Sequence, residues 1–169
     1  MTQNKGFTLI ETVVYIVILG MLFTVIVTAV VNVISLYHVF DVRRDIQDSA
    51  LASFDRITRE IRSARSVSTS GSVFNSHPGI LVVSTNQGGV PVVRQFSLDN
   101  GVLHLYEEGV DLGPLTSADV TVTNLVFEYS ENEHTDLVKI TMQLQAGNGD
   151  AQETKNFYVS TVLRGSYND

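Results

Sequence analysis

The chain has 169 residues, 44% of them hydrophobic, and 11 Lys and Arg stand against 18 Asp and Glu for a net charge of −7. That length suits one folded domain and one membrane-spanning segment, and with no cysteine the chain has neither disulfides nor a cysteine-based metal centre. An acidic chain is also a poor match to nucleic acid, whose binding rests on neutralising phosphates.

Residues 1–6 form a short leader ending in Gly6, and Phe7 to Glu11 read Phe-Thr-Leu-Ile-Glu. The 29 residues from Thr12 to Phe40 then contain no Asp, Glu, Lys or Arg. As a helix this run extends about 44 Å, against a hydrocarbon core of about 30 Å, so the excess tilts or projects beyond the bilayer. Sixteen of the 29 are Val, Ile or Thr, mediocre helix formers in water. Lipid offers backbone groups no partner, however, and so imposes the helix. Glu11 stands at the mouth of this segment, where a carboxylate inside the bilayer costs roughly 2.5–3.5 kcal/mol and needs a partner or a task. The plain alternative is a signal anchor. A cleavable secretory signal differs, with a longer charged region, an apolar core of about 7–15 residues and a small-residue cleavage site. Flanking charge leaves the orientation open, because Lys5 precedes the segment while Arg43 and Arg44 follow it beside Asp41 and Asp45.

Gly6-Phe7-Thr8-Leu9-Ile10-Glu11 directly before such a run resembles the class III leader of type IV prepilins and type II secretion pseudopilins. The resemblance implies cleavage by prepilin peptidase between Gly6 and Phe7, and methylation of the new amino terminus on Phe7. It also implies a single-pass protein of the bacterial cytoplasmic membrane, with a cytoplasmic leader and the C-terminal part periplasmic or extracellular. Cleavage frees an α-amino group with an ordinary pKa of about 7.7–8.0, mostly cationic at neutral pH. Glu11 lies four residues on, within reach of its own amine along a helix; the family's assembly scheme implies the amine of a neighbouring subunit.

Beyond Phe40, Ile46, Ala50, Phe54, Ile57, Ile61 and Ala64 recur at spacings of three and four, an apolar stripe on an amphipathic helix. Arg43, Asp45, Asp48, Asp55, Arg56, Arg59, Glu60 and Arg62 lie between them, and Asp55 to Arg59 is an acid-then-base i,i+4 pair suited to a solvated face. With no Pro or Gly from 21 to 70, one helix is expected from about residue 8 to about residue 65. Residues 66–72 are small and read as the loop that ends it. Strands follow over 80–85 and 92–98. Asp99-Asn100-Gly101 reads as a type I′ hairpin turn, and the return strand starts at Val102. Residues 107–119 read as a longer loop. Alternating strands continue from Val120 to Tyr129, Val138 to Leu144 and Phe157 to Leu163, each with one face buried and one wet. The fold expected is α+β: a pilin-like lollipop in which the long N-terminal helix packs against an antiparallel β head, split into two small sheets. The parts are a leader (1–6), a transmembrane helix (7–40), an amphipathic helix (41–65) and the head (66–169). The head holds four basic and twelve acidic residues.

The soluble part resembles minor pseudopilin J of type II secretion and the W-type minor pilins. The stretches that carry this are 54–64, Phe96 to Leu103, Val122 to Tyr129 and Val162-Leu163-Arg164, in that order. It implies a tip or initiation role in a filament.

Candidate chemistry is sparse. His38, His77, His104 and His134 lack ligand-like spacing, so no metal or cofactor is expected. His104, between Leu103 and Leu105, is expected to face solvent. No Gly-x-Ser-x-Gly elbow accompanies the Ser, His and Asp residues, so no enzyme is expected. Glu131 to Asp136 offers oxygen ligands for calcium without an EF-hand's spacing, and reads as a solvated turn. The expected function is a minor pilin-like subunit whose partners are other pilins or pseudopilins, prepilin peptidase and, before assembly, membrane lipid. The alternatives are a membrane-tethered binding module and a competence pseudopilin for DNA uptake.

Overall fold

A computed structural model describes residues 8–132 and 135–163. The chain divides into two compact units, one ending at Phe40 and the other beginning at Asp41. A single element, helix α1 (Leu9–Ser63, 55 residues), contributes to both.

In the first unit α1 carries its apolar side chains outward. Its most apolar 18-residue stretch has a mean hydropathy of 2.8 and no buried residue. The hydroxyls in this stretch bond to the helix itself: Thr24 donates to the Gly20 carbonyl (2.9 Å), Thr28 to that of Thr24 (2.9 Å) and Ser35 to that of Val31 (3.0 Å). Each is thereby satisfied without water, as lipid requires.

In the second unit the predicted stripe is the core's centre. Ile46, Ala50, Ile57, Ile61 and Ala64 are fully or almost fully buried, and Phe54 is partly buried with its ring 6.4 Å from that of Phe157. Around the stripe fold eight strands: β1 (Ala64–Val67), β2 (Leu81–Gln87), β3 (Val90–Asp99), β4 (Val102–Glu107), β5 (Val110–Pro114), β6 (Val120–Asn132), β7 (Thr135–Ala146) and β8 (Glu153–Val162). They pair in chain order, antiparallel, into a five-stranded sheet (β1 to β5) and a three-stranded sheet (β6 to β8). Phe96, Leu103 and Leu105 from the first sheet and Leu125, Phe127, Ile140, Met142 and Leu144 from the second complete the core. Asn100 and Gly101 take φ of 49° and 80°, the two left-handed residues of the expected type I′ turn.

The sheets are joined along β6. Its Val122 N–H donates to the Gly101 carbonyl (2.7 Å), and its outer edge is occupied by the connection between β1 and β2. There Asn75 and Gly79 N–H groups bond to the Phe127 and Leu125 carbonyls (2.9 Å each), while His77 Nδ1 accepts the Leu125 N–H (3.0 Å). That closes an edge otherwise open to association.

Two expectations need correction. The helix does not end in a loop at 66–72: α1 stops at Ser63 and β1 begins at the next residue. The buried Thr85 hydroxyl caps the Ser63 carbonyl (3.2 Å), so a β2 side chain supplies the stop signal. Nor is 107–119 wholly loop. Glu108 and Gly109, with φ of 51° and 80°, make a second left-handed turn, and β5 returns along β4.

Candidate functional site

The N-terminal part of α1 is assembled from local chemistry. Thr8 and Glu11 have the spacing of a capping box: the Glu11 N–H points at the Thr8 hydroxyl (3.4 Å), while the Thr8 carbonyl takes both the N–H (3.2 Å) and the hydroxyl (3.3 Å) of Thr12. Thr8 was not among the expected site residues, although Thr-x-x-Glu before an apolar run is the signal that marks it. Thr8 fixes the helix start at Leu9 and so places Glu11 in the first turn, where the positive end of the helix dipole favours an anion. Glu11 is exposed, and among the described residues no cation lies within ion-pair distance of its carboxylate. Gly6 and Phe7 lie outside the described residues.

On either side of Glu11, Leu9, Leu19 and Phe23 are 83, 70 and 67% exposed, as representatives of a continuous apolar surface. Such a surface demands lipid or other apolar helices.

In the second unit an ionic cluster ties α1 to the first sheet. Glu60, expected on the solvated face, is only 3% exposed. Its carboxylate is bound by Arg94 of β3 and by Arg56 one turn earlier (3.0 Å), and Arg94 also reaches Glu107 of β4 (3.0 Å). The burial of Glu60 follows from those partners: two guanidiniums replace the water it loses. Nearby, Ser53 donates to the Leu115 carbonyl (2.9 Å) and Ser49 accepts the Ser117 N–H (3.2 Å), so two serines of α1 hold the connection between β5 and β6. At the other end Arg43 pairs with Glu153 (2.6 Å). The expected Asp55–Arg59 pair forms on the exposed face.

Among the described residues the histidines do not converge. His77 is a backbone acceptor, as above. His104 lies, as expected, on the face of β4 away from the buried Leu103 and Leu105, but its side chain is only 16% exposed because its Nδ1 lies 2.9 Å from Asp111 of β5. The Gly113 N–H and then His104 hold the Asp111 carboxyl below its ordinary value. Ser97 stands opposite His104 in register, but among the described residues its hydroxyl is bonded to Gln95 (3.3 Å) and not to His104. It is therefore no activated nucleophile.

Of the calcium candidate, Glu133 and His134 lie outside the described residues. Asp136 interacts with Tyr129, whose phenol is pushed up to about 12, first by burial and then by the Asp136 charge and hydrogen bond. No group of three or more His, Asp or Glu is placed to hold a metal among the described residues. Arg164, the last residue of the pseudopilin-like stretches, also lies outside them.

Comparison with protein families matches residues 1–27 to the prokaryotic N-terminal methylation motif. The match covers the leader, the Thr8–Glu11 cap and the first part of the uncovered helix. Comparison with curated proteins and with solved structures gives no match.

Proposed function

We propose that this chain is a type IV pilin-like structural subunit, cut by prepilin peptidase between Gly6 and Phe7 and methylated on Phe7. The carrying observation is that the methylation motif runs directly into an apolar helix whose most apolar 18 residues are all unburied. In this reading the leader is cytoplasmic and the folded domain, from Asp41 on, lies outside the membrane. Lipid covers the apolar part of α1 first, and neighbouring helices cover it in the filament. Glu11 then pairs with the freed amine of an adjacent subunit, an anion for a cation in a poor solvent. The J-like stretches, including the α1 stripe and the Asn100-Gly101 hairpin, support a minor subunit of a tip or initiation complex in a type II secretion or type IV pilus type filament. The acidic surface of the domain weighs against direct DNA capture.

The test is the intact mass and N-terminal sequence of the full chain purified from membranes that contain a prepilin peptidase. A chain starting at Phe7 with one added methyl group is the expected product. A chain still starting at Met1 would leave a plain membrane anchor and end the proposal.

A further inference from the structure

The outer face of the three-stranded sheet differs in chemistry from the rest of the domain. From residue 66 on the chain carries twelve acids against four bases, a net of −8. Yet three successive cross-strand rows on this face, from Thr121–Gln145–Thr154 through Gln143–Asn156 to Thr141–Tyr158, contain no charged side chain. The Glu128–Lys139 pair (2.9 Å) bounds them on one side.

Amides and hydroxyls on this face are aligned by one another. Thr123 donates to Gln143 Oε1 (2.8 Å), and Gln143 Nε2 donates to Asn156 Oδ1 (2.9 Å). The chain ends on the Asn156 amide nitrogen, which has two donors and no bond among the described residues. Two residues along β8 on the same face, Tyr158 is 66% exposed and is the one exposed aromatic ring among the described residues beyond Phe40. In the other direction the uncharged rows end at Gln145, beside a cavity of about 460 Å³ whose lining includes Asp45 and Asp119 and which bounds the face on that side. From Tyr158 to Thr154 the strand covers about 14 Å, room for a few linked sugar rings.

Amides that both donate and accept suit vicinal hydroxyls, and an exposed ring suits the C–H face of a pyranose. The lack of charge over these rows selects a neutral ligand, since neither a polyanion nor a polycation finds a counter-charge there. A protein partner would want an apolar centre with Arg or Met among its aromatics, which this face lacks. We propose that the outer face of β6 to β8, over the uncharged rows from Tyr158 to Gln145, binds a neutral oligosaccharide chain. This holds whether or not the protein joins a filament.

The experiment is calorimetric titration of the full chain, in a detergent without a sugar headgroup, with maltotriose and with chitotriose. At least one is expected to bind equally well in low and high salt. Tyr158→Ala should weaken that binding about tenfold or more, and Tyr158→Phe, which keeps the ring, should stay within about twofold of the parent. Tyr158 is outside the core, so loss of binding in the alanine variant does not reflect unfolding. Binding of neither sugar, or equal binding by Tyr158→Ala, overturns the proposal, as does binding that collapses with salt. Self-association abolished by Tyr158→Ala, with no sugar bound, would assign the face to a second copy instead.

Discussion

Glu60 shows how much one residue's setting depends on distant partners. Its carboxylate is nearly buried between Arg56 and Arg94, and Arg94 is itself only 14% exposed. Replacing one member of a buried ion pair leaves the other charge stranded, at a cost of about 3–5 kcal/mol. Glu60→Gln should therefore lower the denaturant midpoint of the folded domain sharply, whereas Asp55→Asn, at an exposed pair, should move it by less than about 1 kcal/mol. Equal effects of the two would show that the cluster is solvated. The burial of Glu60 was half legible: it adjoins Ile61 on the stripe's flank, but Arg94 lies 34 residues away, and no local pattern announces the pairing. Asp111 makes a different prediction. Its carboxyl is held below the ordinary value of 3.8, so the unfolded chain binds the proton more tightly than the folded one. The stability that Asp111 adds is complete above that ordinary value and is lost as pH falls through the lowered one. Acid unfolding of wild type and Asp111→Asn should thus differ by a constant amount above about pH 5 and converge below it. A difference that persists in strong acid would contradict the assignment.

Among the elements, α1 was legible almost to the residue, because two independent signals set its two halves. An unbroken charge-free run permits only a helix in lipid, and the spacing of three and four from Ile46 to Ala64 marks a buried stripe. What the spacing could not show was its start. The Thr8 cap predicts that Thr8→Ala loses about 1 kcal/mol at the first turn while Thr8→Ser keeps it. Hydrogen exchange at the Glu11 amide should accelerate in the first variant and stay at the parent rate in the second; no change in the alanine variant would dismiss the cap. β1 and β5 were missed for a common reason. Both are short edge strands, four and five residues, whose conformation is set by the neighbours they pair with, and β5 includes Gly113 and Pro114, ordinarily turn formers. Internal strands such as β7, buried on one face from Val138 to Ala146, announce themselves by strict alternation.

At the scale of the whole molecule, the proposed assembly turns on the uncovered helix and the carboxylate at its mouth. Glu11→Ala should leave cleavage and membrane insertion intact yet impair incorporation into a filament or tip complex, read by crosslinking to neighbouring subunits. Incorporation at the wild-type level would remove the intersubunit pairing from the proposal. The two-sheet domain was legible as a class from its alternating strands and Asn-Gly turn. The seam between the sheets was not, because it depends on backbone bonds from Val122 to Gly101 and from β6 to the loop holding His77.

The direct passage from Ser63 of α1 to Ala64 of β1 has a mechanical meaning. With no residue between helix and strand there is no slack to take up, so tension along the end of α1 passes straight into the β1–β2 ladder. The Glu60–Arg94 clamp forms a second load path beside it, from the same last turns of the helix into β3. A subunit that is pulled by its N-terminal end is thus gripped at two points of one sheet.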